Sequence, residues 1–273
     1  MTDVGIALLV GLAAGAHAAT WGMYKDAPYE GFTYATYFRS FVVSACVAVA
    51  AELVVDFDMT QATSIVVLFG LTYVIERALA EFYKTFLRDE DQSKYAIPMQ
   101  LAVKGKVVTR RSRVLLAGVA YAVAVVAIVL GVHLLQDADV LHGWAAVLVI
   151  GSAGGWISAF GGAWKDAPVE GFSIFKFFRS PLVALSYAAL LAAMTDDFVY
   201  ISMGALGYTV ATLETYKTFF KPNVPRGKFA GNVIQFPDML RRRQSFVPLY
   251  VAIWVGVVAA FVVAFTEPRT GLI

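Results

Sequence analysis

Long apolar runs alternate with short charged connections along the whole chain. A helix needs about 20 apolar residues to cross the hydrocarbon core. Eight stretches reach roughly that length: 4–24, 38–56, 60–82, 114–136, 140–164, 179–195, 199–216 and 245–266. They predict an all-α integral membrane protein with eight transmembrane helices. The first stretch begins with an acid (Asp3) and no base, and its apolar run is too long for the core of a signal peptide, so it is expected to be retained.

The connections alternate in sign. Asp3, Glu52, Asp56, Asp58, Asp137, Asp139, Asp196, Asp197 and Glu267, with Arg269, fall on one side. Segments 25–39, 84–113, 165–179 and 217–243 fall on the other, and counting Arg77 with them gives that side 21 of the 22 Lys and Arg. Basic loops stay in the cytoplasm, so both termini are expected outside, in a multi-pass protein of the cell (inner) membrane. The net charge of +2 therefore conceals a separation: 21 bases and 11 acids face inward, one base and nine acids outward. Composition agrees, with 59% apolar and 15% charged residues against about 25% charged in soluble domains.

The chain also repeats itself. KDAPYEGFTYATYFRSF at 25–41 returns as KDAPVEGFSIFKFFRSP at 165–181, a spacing of 140. EFYKTFLR at 81–88 returns as ETYKTFFK at 214–221, a spacing of 133, and RRSR at 110–113 aligns with RRRQ at 241–244. Each half, 1–136 and 137–273, holds four predicted helices. Four is even, so the repeats are expected to be parallel, related by an axis along the membrane normal. AAGAHAA in the first helix and GSAGGW in the fifth are small-residue stretches suited to close helix contact.

The repeated charges are the candidate chemistry. Pro28 and Pro168, followed by Gly31 and Gly171, predict that the first and fifth helices end near Lys25 and Lys165. The aromatic residues after them suit a short segment at headgroup level. Asp26, Glu30 and Arg39 recur as Asp166, Glu170 and Arg179, and headgroup anchoring has no use for carboxylates. They fasten the loops or bind a ligand. Glu81 and Lys84, like Glu214 and Lys217, stand three apart on one helix face and can pair locally. Tyr83 and Tyr216 lie between them. Lys25, Arg39, Lys84, Lys165, Arg179 and Lys217 would bring six cations to one membrane level, a collar suited to phosphate.

The remaining residues narrow the function less. The basic loops 86–113 and 217–244 are expected to hold anionic lipid of the cytoplasmic leaflet, and their apolar runs to dip into the interface or fold over the mouth. His17 is expected to be packed and bonded to a neighbour, Glu52 to lie near the outer water, and His133 and His142 to sit at the interface. Cys46 is alone, and no nucleotide, zinc-protease or hydrolase motif occurs, so no cofactor, metal or nucleic acid is expected. D-D-F at 196–198 falls on the outer side. The leading expectation is a channel or transporter with a charged cytoplasmic-side site for an anionic or phosphate-bearing solute, although the helices show few polar groups at mid-depth. The alternatives are an integral-membrane enzyme or flippase for a phosphate-bearing lipid, and a non-catalytic subunit of a membrane complex. A homo-oligomer or larger complex fits either.

Overall fold

The computed structural model describes residues 2–220 and 227–273. Segment 221–226 of the second basic loop lies outside the described residues. All eight apolar stretches are helical: α1 Asp3–Glu30, α2 Tyr34–Val55, α3 Ala62–Phe82, α4 Arg111–Asp137, α5 Gly143–Glu170, α6 Ile174–Ala192, α7 Phe198–Phe219 and α9 Val247–Ala264, the last preceded by the short α8 Asp238–Arg242. Six helices are long and apolar enough to cross a membrane: α1, α2, α4, α5, α6 and the run Asp238–Ala264. The protein is a helical membrane protein. It is not purely α-helical, because Ala102–Val103 and Lys106–Val107 pair as a two-stranded hairpin. Lys104 and Gly105 both take positive φ in its turn, the conformation that a two-residue hairpin loop requires.

Local side-chain caps set the starts of α2, α6 and α7. Thr33, Ser173 and Asp197 accept hydrogen bonds from Thr36, Lys176 and Tyr200 N–H groups as N-caps. The aromatic stretches after the glycines therefore open α2 and α6 and do not form separate interfacial segments. The expected ends at Lys25 and Lys165 are overturned as well. Both helices run on past proline to Glu30 and Glu170 and stop at Gly31 and Gly171, whose φ values are +78° and +80°. Proline 28 supplies no N–H for the Tyr24 carbonyl one turn back. The Arg243 guanidinium donates to that oxygen at 2.9 Å, so the turn survives.

Glycines let the helices meet. A Cβ at Gly15 would lie 2.6 Å from Ser40 O, and one at Gly155 would lie 2.8 Å from Ser180 O, 140 residues on in both partners. The small-residue stretch of α1 thus packs on α2 and that of α5 on α6. In the middle α3 crosses α7, and a Cβ at Gly207 would stand 2.0 Å from Gly70 O.

The outer helices exchange sides. α9 packs on α3 and α1, while α4 packs on α7. Both exchanges are tied at the acidic end. Glu267, after α9, accepts from Ala62 N at the start of α3, at 2.9 Å to its nearer oxygen, and Gln136, at the end of α4, accepts from Phe198 N at the start of α7 at 2.9 Å. Negative or polar oxygens there satisfy the first free N–H groups of each helix. Glu52, expected near outer water, is buried and accepts from Phe57 N at 3.2 Å.

Candidate functional site

The basic ends of α1, α3, α5 and α7 surround a cavity of about 1510 Å³. Its lining carries twelve Lys and Arg against seven Asp and Glu. Twelve of the sequence candidates line it: Lys25, Asp26, Glu30, Arg39, Glu81, Lys84, Lys165, Asp166, Glu170, Arg179, Glu214 and Lys217. Tyr83 does not. It opens the π-helical turn Tyr83–Leu87, where the wider winding changes the phase of the side chains, and it is exposed outside the cavity. Tyr216 also lies outside the lining, with the Arg179 guanidinium 5.6 Å above its ring.

The two repeated motifs meet across the halves of the chain. Glu214 of α7 accepts from Lys217 at 2.8 Å, and Lys25 of α1 stands 3.8 Å from its other carboxylate oxygen. Glu81 pairs with Lys84, and the charge of Lys165 on α5 acts on it. Lys25 of the first KDAP motif therefore reaches the glutamate of the opposite half, while Lys165 acts on Glu81 by its charge without an ion pair within 4.0 Å.

Several acids fasten loops. Lys228 reaches Asp26 at 2.9 Å and Glu30 at 3.2 Å, and Tyr95 donates to Glu30 at 2.7 Å. Glu170 accepts from Lys176 at 2.6 Å and from Gly227 N at 2.9 Å. Burial, then the hydrogen bond to Glu30, pushes the Tyr95 phenol well above its usual range. Arg39, Lys165 and Asp166 are different: none has an ion-pair partner within 4.0 Å among the described residues.

Both loops fold over the cavity mouth. The hairpin loop passes its Ala102 carbonyl to Trp164 Nε1 of α5 at 3.4 Å, and Pro28 O of α1 accepts from Gln235 and Phe236 N–H groups at 3.0 and 2.9 Å. Ala96 N to Lys228 O, 2.8 Å, and Asn232 Nδ2 to Lys94 O, 2.7 Å, join the loops to each other. Arg111, the first residue of α4, donates to the Phe86 and Leu87 carbonyls of the π-helical turn at 3.1 and 3.2 Å.

One polar cluster escaped the sequence reading and corrects the expectation of an apolar mid-depth. The Tyr73 hydroxyl accepts from Trp21 Nε1 at 2.8 Å and lies 2.9 Å from Nδ1 of His17, which is buried as expected. His17 stacks on Tyr250 with ring centroids 4.3 Å apart, and Trp254 Nε1 and the Tyr250 hydroxyl bond Thr215 Oγ1 at 3.1 and 2.5 Å. Next to them Glu76 and Arg77 form an ion pair, with the guanidinium 5.3 Å over Trp21. The signal was present as adjacent opposite charges inside an apolar run. Their pairing within one helix removes most of the cost of burial.

Fold and cavity together define a helical membrane protein with a charged chamber at one end. Compared with known proteins, the chain matches no protein-family model, no curated protein and no solved structure, so function has to be argued from its own residues.

Proposed function

We propose that this is a transport protein whose chamber takes an anionic, phosphate-bearing solute. The carrying observation is the excess of twelve bases over seven acids around one cavity, in which Arg39 and Lys165 keep no carboxylate partner within 4.0 Å among the described residues. An unmatched cation in a partly desolvated cavity needs an anion, and phosphoryl oxygens suit both guanidinium and ammonium groups. In this reading all eight long helices span the cell membrane as two parallel four-helix repeats, 1–136 and 137–273. Both termini lie outside, and the chamber faces the cytoplasm. The matched glycine contacts and the equivalent Glu267 and Gln136 caps support the repeat. The exposed bases Arg110, Arg111, Arg113, Arg241 and Arg242 hold anionic lipids of the inner leaflet, while Arg243 is buried against Tyr24.

The test uses proteoliposomes of neutral phosphatidylcholine with two probes, radiolabelled glycerol 3-phosphate in the lumen and a tail-labelled phosphatidic acid in the bilayer. Wild type moves at least one probe saturably, and Arg39→Gln with Lys165→Gln slows that movement about tenfold, the loss of one charge-assisted hydrogen bond. These two positions leave no carboxylate orphaned, and a thermal melt verifies folding. Movement of neither probe, or a folded double variant equal to wild type, overturns the proposal.

A further inference from the structure

The wall of the chamber is sealed on one side and open on the other. By the sequence spacings, α1, α3 and α9 correspond to α5, α7 and α4. On the first side α1 packs against both α7 and α9, and the seam is filled by Trp21, Tyr73, Tyr250 and Trp254 around His17. On the second side α5 has no comparable packing against α3 or α4. There Trp21 is replaced by Gly161, Tyr73 by Leu206, Tyr250 by Val119, Trp254 by Val123 and His17 by Ile157. Val119, Val123 and Ile157 are all exposed, as are Phe160 and Trp164 along the same α5 segment. A Cβ at Gly161 or Gly162 would meet nothing within 4 Å.

The open side is continuous with the charged chamber. Gly161, Ile157, Leu206 and Val210 line the same cavity as Lys165 and Lys84. Its volume exceeds the roughly 300–1,000 Å³ of ordinary small-molecule pockets and far exceeds the needs of a phosphate ion. A chamber with cations at the mouth and an apolar wall open to the surrounding hydrocarbon matches an amphiphile: phosphate at Lys165, Lys84 and Arg39, chain along α5 and α7.

We infer that the solute is a phosphate-bearing lipid and that it enters sideways from the bilayer, between α4 and α5. This rests on the phosphate-site reading above and adds the substrate class and its route. Gly161→Trp restores on the second side the ring that Trp21 supplies on the first, in space the backbone leaves empty. Gly256→Trp adds the same bulk to α9, away from the cavity lining, as a control.

With the labelled phosphatidic acid, Gly161→Trp slows movement at least about tenfold, since excluding even two methylenes from an apolar seat costs that much. Calorimetric binding of glycerol 3-phosphate to the same variant stays within about twofold of wild type, because no cation is removed. Gly256→Trp moves lipid like wild type. Three results overturn the inference: unchanged lipid movement in a folded Gly161→Trp, loss of glycerol 3-phosphate binding together with lipid movement, or a wild type that moves glycerol 3-phosphate but not lipid. The last leaves the transport reading standing; movement of neither probe removes both.

Discussion

Around α1, α3 and α9, rings and hydrogen bonds fill the seam: Tyr24 lies 4.6 Å from Phe219, Phe219 4.4 Å from Tyr250, and the Arg243 guanidinium 4.2 Å over Tyr24. Around α5, α7 and α4 the places matching Trp21, His17, Tyr73, Tyr250 and Trp254 hold glycine, isoleucine, leucine and valine, although Phe86 matches Phe219, and Trp164, which stands where Tyr24 does, is 65% exposed. The backbones follow one plan while the fillings differ. In the proposed reading as two repeats, one copy is a braced wall and the other is free for a ligand, because closure of a seam depends on a handful of large side chains. Among the repeated charges one pair differs in the same sense: Asp26 on the braced side is held by Lys228, whereas Asp166 has no ion-pair partner within 4.0 Å among the described residues, and Glu30 and Glu170 are both held by lysines.

The comparison breaks most severely where both sides depend on one contact. Gly207→Ala drives a methyl into the Gly70 carbonyl, and helix backbones cannot yield as side chains do. A loss of about 3 kcal/mol or more is expected, read as a collapse of the thermal melt in detergent. Gly162→Ala, in open space, gains about 0.5–1 kcal/mol through helix propensity instead. Next, Tyr73→Phe strands Trp21 Nε1 and His17 Nδ1 in the braced wall and costs about 2–3 kcal/mol, whereas Leu206→Met at the matching place costs under about 1.5 kcal/mol. Denaturation midpoints that fall equally for the two would erase the distinction.

A smaller effect separates the two proline turns. Arg243→Met leaves the Tyr24 carbonyl without its donor and costs about 1–3 kcal/mol, while Ser112→Ala, the aligned exposed position, changes stability by less than about 0.5 kcal/mol. The least effect is acidic. Burial alone would raise the Glu90 carboxyl, but the hydrogen bond from Lys94, the charge of Arg88 and the bond from Tyr95 hold it below the usual range. Its folded state favours the charged form, so its stabilisation is present above the ordinary carboxylate pKa and fades as pH falls through the lowered folded value. Melting temperatures of wild type and Glu90→Gln should differ near neutral pH and converge in acid, once the pH is below that lowered folded value.

Much of this was legible in one chain. Apolar run length located every long helix, and the recurrence of K-D-A-P-x-E-G-F and E-x-Y-K-T-F singled out the residues that line the chamber. The local pairs Glu81 with Lys84 and Glu214 with Lys217 followed from helical spacing alone. What escaped was settled by contacts distant in sequence. Proline at 28 removes the helical donor to the Tyr24 carbonyl, and its replacement comes from Arg243, 219 residues away, while α5 also runs on past Pro168. The exchange of α4 and α9 leaves no trace in periodicity. Trp21 and Gly161 are visible in the alignment, but only packing reveals that one fills a seam and the other leaves it open.

The Glu267 cap has a consequence for the order in which the chain is made. Helix α3 is synthesised early, yet its first N–H group is satisfied by a carboxylate 205 residues further along the chain. Helix α7 needs only Gln136, which has left the ribosome long before it. During synthesis the contact of Gln136 with α7 can form first, while the start of α3 waits for the segment that follows α9. A nascent protein halted before Glu267 would hold the α5, α7 and α4 side with the α3 cap on the other side still unmade.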